Sequence, residues 1–109
     1  MKFYYNGNLV RTSKTHEYKF ALLNTETGKA YACSKDMKGM DRALSEVSQT
    51  YNLYLSVKNG TYRRKDRWAR TAEQLEAGAV KYWGSLDNAL TELKQDVDKY
   101  KIVELEARA

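Results

Sequence analysis

The sequence predicts an α+β fold: two N-terminal β-hairpins and a C-terminal strand form a mainly antiparallel sheet, with two or three helices on one of its faces. Three observations carry this expectation. Asn6-Gly7 sits between aromatic and aliphatic flanks, the strongest short-range hairpin signal there is. Apolar residues later recur at helical spacing in successive blocks. The last residues, Ile102 to Ala107, alternate between apolar and acidic. The order β-β-β-β-α-α-α-β segregates strands from helices, unlike an alternating βα chain. A length of 109 residues supports one core, so a single domain spanning 1–109 is expected.

The first hairpin covers residues 3–11. Asn6 and Gly7 fill the two central positions of a type I′ turn, where both residues need positive φ. The implied partners are Tyr5 with Asn8, Tyr4 with Leu9, Phe3 with Val10 and Lys2 with Arg11. Phe3, Tyr5 and Val10 then share one face, and Tyr4 and Leu9 the other. Thr12 to His16 is a polar connector. Tyr18–Leu23 and Lys29–Ser34 form the second hairpin around the turn-rich Asn24-Thr25-Glu26-Thr27-Gly28.

An amphipathic helix follows. Met37, Met40, Leu44, Val47, Tyr51 and Tyr54 recur at spacings of three and four, widened by Ala43 and Leu55. Ser34 or Asp36 can cap its start, and Asn59-Gly60 is the expected stop. A second stripe comprises Arg64, Trp68, Ala72, Leu75, Ala79 and Tyr82. It predicts a loop from Asn59 and then a helix from about Asp66 to Trp83, with Trp68 anchored in the core. A competing signal is Thr71-Ala72-Glu73-Gln74, a capping box that would start the helix at Ala72. Gly84-Ser85 separates this helix from a third. Ser85 is a good N-cap, Asp87 favours the first turn, and Leu86, Leu90, Leu93, Val97 and Tyr100 form the stripe. In the final strand Val103, Leu105 and Ala107 face one way and Glu104 and Glu106 the other.

Composition narrows the function classes. A hydrophobic content of 42% with 12% aromatics describes a folded chain. No apolar run approaches the roughly 20 residues of a membrane span, and no signal-peptide pattern opens the chain, so a cytoplasmic location and no membrane partner are expected. The single cysteine, Cys33, suits a reducing compartment.

The residues needed for common catalytic sites are sparse. The lone histidine, His16, lies in a polar connector without a nucleophile elbow. Cys33 sits in an apolar strand and reads as a buried thiol. One histidine and one cysteine cannot build a zinc site, and no phosphate-binding glycine motif is present. Glu104 and Glu106 share a strand face, where a Mg²⁺ site is conceivable, though a solvated face is the simpler reading. The chain is therefore expected to be no enzyme, with no cofactor and no metal.

Charge is concentrated instead. The chain has 19 basic and 14 acidic residues, a net charge of +5. Six basic residues and one acid fall between Lys58 and Arg70, so this stretch holds the entire excess. Tyr62 and Trp68 are interleaved with the arginines. Such a pattern neutralises phosphates and offers rings on which exposed bases stack; it equally fits an acidic protein surface. The candidate partner-binding residues are Tyr62, Arg63, Arg64, Lys65, Arg67, Trp68 and Arg70. If helical, the segment would present Arg63, Arg67 and Arg70 as a ridge beside Trp68.

The opening KFYYNGNLVRTSKTHEYKFALL, followed by KAYACS and an amphipathic helix, resembles a group of small uncharacterised proteins encoded by phages and prophages of Firmicutes. The resemblance covers roughly the first half of the chain. It implies a phage accessory protein, a context in which interference with host defence, as by anti-CRISPR proteins, is common. The basic charge argues against DNA mimicry. The expected function is thus non-enzymatic binding to a host protein or ribonucleoprotein complex, plausibly one of host defence; the alternative is nucleic-acid binding through segment 58–70.

Overall fold

A computed structural model describes residues 1–109. The fold is α+β, with ten elements whose contacts gather into two compact units, Met1–Val47 with Asp98–Ala109, and Ser48–Val97.

The first unit holds all six strands in two three-stranded antiparallel sheets, where the sequence suggested one. Strands β1 (Lys2–Tyr5) and β2 (Asn8–Thr12) pair around Asn6 (φ 50°) and Gly7 (φ 80°), the conformation expected of the Asn-Gly turn. Tyr5 opposes Asn8 and Tyr4 opposes Leu9, as the turn dictates. Beyond that the register slips: Phe3 opposes Arg11, not Val10, and Lys2 opposes Thr12, not Arg11. Val10 is the extra residue of a bulge, which re-aims side chains on the bulged strand. Phe3 becomes buried, Tyr5 and Val10 are half-buried against Ala21, Leu23 and Val103, and Leu9 on the opposite face stays exposed.

Strands β3 (Phe20–Asn24), β4 (Ala30–Ser34) and β5 (Tyr100–Glu104) form the second sheet, with β3 central. Ala21, Leu22 and Leu23 are consecutive and all buried, which requires cover on both faces. On one face Leu22, with Ala32 and Ile102 opposite it, packs against Met40 and Ala43 of α1 (Met37–Val47). On the other, Ala21, Leu23 and Val103 meet Tyr5, Val10 and Leu105. The unit is therefore layered helix, sheet, sheet.

The expected single C-terminal strand is two. β5 pairs with β3, then Leu105 donates its N–H to the Lys19 carbonyl (2.7 Å), and β6 (Glu106–Arg108) pairs with β1. Glu104 and Glu106 thus belong to different sheets. Of the two candidate caps for α1, Asp36 acts: its Oδ1 accepts from the Gly39 N–H (2.9 Å), while Ser34 Oγ donates to the same carboxylate (3.3 Å).

The second unit is helical: α2 (Gln49–Asn59), α3 (Ala72–Trp83) and α4 (Leu86–Asp98, its last residue assigned to the first unit). The expected continuous helix from Met37 is interrupted at Ser48. The stripe divides there: Met40 and Ala43 serve the sheet core, while Tyr54 joins Leu75, Ala79, Ala89 and Leu90 in the helical one. α2 ends at Gly60 (φ 71°) in a Schellman arrangement, Gly60 N–H to the Val57 carbonyl and Thr61 N–H to the Ser56 carbonyl.

α3 starts at Ala72, not near Asp66, because the capping box forms completely: Thr71 Oγ1 accepts from Gln74 N–H (3.2 Å) and Gln74 Oε1 accepts from Thr71 N–H (2.9 Å). Leu75 and Ala79 of the expected stripe are buried, but Tyr82 is exposed; Trp83 instead packs edge-on to Tyr54, centroids 5.6 Å apart. Ser85 caps the Asn88 N–H at the start of α4 (3.0 Å).

A candidate anion-binding loop and its groove

Residues 61–70 form an ordered loop between α2 and α3. Asp66, the only acid in the stretch, explains why no helix forms. Its Oδ1 accepts from the backbone N–H of Trp68 (2.8 Å) and of Ala69 (2.9 Å), an Asx turn that competes with helical hydrogen bonding. The Ala69 N–H also reaches the Asp66 carbonyl (3.2 Å). Arg64 donates from its guanidinium to the Arg67 carbonyl, tightening the tip. At the base of the loop, half-buried Tyr62 packs against the helical core and donates its hydroxyl to the Arg70 carbonyl (2.6 Å), closing both ends together.

This geometry corrects two expectations. Arg63, Arg67 and Arg70 do not form a helical ridge, since the segment is not helical. Trp68 does not anchor anything: its side chain is 82% exposed, the most exposed large apolar residue in the chain. The Arg67 guanidinium lies over its indole, 4.9 Å from the centroid, leaving the opposite ring face uncovered by any cation–π or aromatic partner.

Arg63, Arg64, Lys65, Arg67 and Arg70 are exposed, and none forms an ion pair. Asp66 spends its carboxylate on backbone amides. The sixth basic residue, Lys58, pairs with Asp87 across the α2 and α4 ends. The loop is thus a cluster of like charges with no ion-pair partner within the chain.

Beside the loop runs a groove of about 640 Å³. The loop supplies Tyr62, Arg63, Lys65, Ala69 and Arg70; Leu53 and Tyr54 from α2, with Leu75, make the apolar part; Gln49, Thr50 and Asn52 add amides and a hydroxyl. Of the seven residues singled out from sequence, four line this groove, while Arg64, Arg67 and Trp68 stand outside it on the same loop. The α2 wall was not foreseen. Its only signal in the sequence is that Gln49, Asn52 and Leu53 fall off the core stripe of that helix.

A larger cavity, about 850 Å³, lies in the first unit, lined by Phe3, His16, Tyr18, Cys33 and Ser34 among others. Two of its polar side chains make local contacts. His16 stacks on Tyr18 and its Nδ1 meets Thr15 Oγ1 (3.0 Å), and Ser34 bonds Asp36. Burial pushes the Cys33 thiol up from its ordinary value, against the opposing pull of Arg11, so it is held as the weakly nucleophilic thiol. No group of three or more His, Cys, Asp or Glu side chains is placed to hold a metal ion, and no helix is long and apolar enough to cross a membrane.

Comparison with protein-family models, with curated proteins and with solved structures gives no match to this chain.

Proposed function

We propose that the protein is a non-enzymatic accessory protein that works by binding, docking loop 61–70 on an anionic macromolecular partner. The class of partner is a host ribonucleoprotein defence complex such as a CRISPR effector, which offers exposed phosphate. One observation carries the reading: five basic side chains without an ion-pair partner share one loop with an exposed tryptophan, and the loop's backbone is held by its own hydrogen bonds. Pre-ordering lowers the entropic cost of binding, and a solvent-exposed Trp beside Arg has the composition of an interface anchor. The phage context implied by the N-terminal resemblance supplies the type of partner.

The test is inhibition of a reconstituted CRISPR effector cleaving its target DNA. Wild-type protein should inhibit and remain bound to the effector on size exclusion, and a variant with Arg63, Arg64, Arg67 and Trp68 changed to Ala should do neither. Equal inhibition by wild type and variant would remove the loop from the function. Absence of inhibition across effector types would remove the defence-complex reading.

A further inference from the structure

The loop and its groove differ in chemistry, and together they specify more than a negative partner. The groove is lined by cationic side chains from the loop, apolar ones from Leu53, Tyr54 and Leu75, and amides from α2. Trp68 stands just outside it, next in the chain to Ala69, which lines it. We infer that this surface is a binding site for single-stranded nucleic acid, in which a base stacks on the open face of Trp68 and the neighbouring phosphates lie against Arg63, Lys65 and Arg70 at the groove rim. The inference rests on the docking loop proposed above and gives its ligand a chemistry.

Three features favour a single strand. Stacking needs an unpaired base, because the faces of bases inside a duplex are already covered; an exposed indole gains nothing from intact duplex except at an unstacked step. The cations are spaced along a loop that borders a groove, an arrangement in which a backbone can be tracked and bases splayed aside. Gln49, Thr50 and Asn52 add donors and acceptors that suit base edges. An acidic peptide would use the same cations, but an amphipathic one would place its apolar anchors in the groove and leave Trp68 outside unused. Arg67 is positioned to hold the indole by its rear face while the front face takes the base.

The experiment uses the intact chain with fluorescently labelled oligothymidylate and oligouridylate of about 12 nucleotides, within the span a small single-strand site covers. Anisotropy is followed from low salt to about 200 mM, with duplex DNA and poly-glutamate as comparison ligands. One or both single strands should bind more tightly than duplex and poly-glutamate; which of the two is tighter decides between DNA and RNA. Trp68→Ala should weaken binding on the order of tenfold or more at every salt concentration, with the slope unchanged, and Trp68→Phe should restore part of the loss. Arg63→Ala and Lys65→Ala should each flatten the dependence of log K on log salt by roughly 0.7. Duplex bound as tightly as single strands, or affinity indifferent to Trp68→Ala, overturns the inference. Poly-glutamate bound in preference to single strands also overturns it, while leaving the anionic docking loop standing. Failure of all four ligands to bind overturns it too, and the effector inhibition described above then judges the docking loop alone.

Discussion

Two of the three arginine–aromatic pairs in this molecule have the same chemistry and opposite surroundings. In the sheet unit, the Arg11 guanidinium lies 5.9 Å from the Tyr18 ring, and Tyr18 is packed edge-on against buried Phe3 with centroids 5.3 Å apart. In the loop, Arg67 covers one face of Trp68, yet no core residue packs against the indole and most of it faces solvent. The first pair is a lid on a core. The second has no core beneath it. A ring held in place by packing contributes to stability whether or not a partner exists. A large ring left in solvent forgoes burial worth on the order of 2 kcal/mol, so packing does not account for its place in the protein. The ring that serves the fold and the ring proposed to serve binding are therefore separable by mutation.

The largest effect is expected at the support of the first pair. Phe3 is 1% exposed, and Phe3→Ala should cost about 3–5 kcal/mol. Urea unfolding would read this as a lower midpoint with little change in slope. A loss under 1 kcal/mol would mean that the hairpin is not part of the cooperative core. Next comes Gly39→Ala. A Cβ there would overlap Ser34 Oγ and lie 2.6 Å from Ser34 Cβ, so the start of α1 and Ser34 must move apart. A destabilisation of about 1–3 kcal/mol is expected, although alanine is the better helix former. A stabilised Gly39→Ala protein would disprove that close approach.

The loop should respond more weakly. Tyr62→Phe removes the hydroxyl donated to the Arg70 carbonyl and should cost about 1 kcal/mol. Its clearer signature is faster amide exchange across 61–70, with the protection of β3 unchanged. Exchange that rises equally in both regions would show that the loop is not an independently ordered element.

A smaller contribution at Asp36 is visible only through pH. The hydrogen bond from the Gly39 N–H, helped by Ser34 and by Lys35 and Lys38, holds this carboxyl below its ordinary value of 3.8. A group depressed in the folded state stabilises above its unfolded pKa and loses that contribution as pH falls through the folded one. The difference in unfolding midpoint between wild type and Asp36→Asn should therefore be present at neutral pH and shrink on acidification below the ordinary carboxylate range. A difference independent of pH would assign the effect to cap geometry alone.

These contrasts also mark what could be read in the sequence. Local signals held: the Asn6-Gly7 turn, the Gly60 stop and the Ser85 cap all occur where residue chemistry places them, because each is decided within a few residues. Readings that needed long-range geometry did not. The bulge at Val10, the switch of sheets at Leu105 and the division of one apolar stripe at Ser48 between two cores depend on what packs opposite. In the loop two local signals conflicted. A helical spacing ran through Trp68, and Asp66 with Thr71 opposed it. The hydrogen-bonding side chains prevailed, since spacing stabilises a helix only where the stripe has a core to meet. The cationic residues were legible as a cluster, but the α2 wall of the groove was not, because Gln49 and Asn52 carry no charge or motif.

The smallest stability effect is expected at Trp68. Trp68→Ala should change the unfolding free energy by no more than about 0.5 kcal/mol, the range of surface substitutions away from packed features. The side chain has little contact to lose, and the backbone turn beneath it is held by Asp66 and not by the indole. Unfolding curves of wild type and variant should superimpose, while affinity for single strands falls on the order of tenfold or more. A destabilisation above 1 kcal/mol would make Trp68 another Tyr18, a ring that serves the fold, and would remove the argument that it is exposed for a ligand.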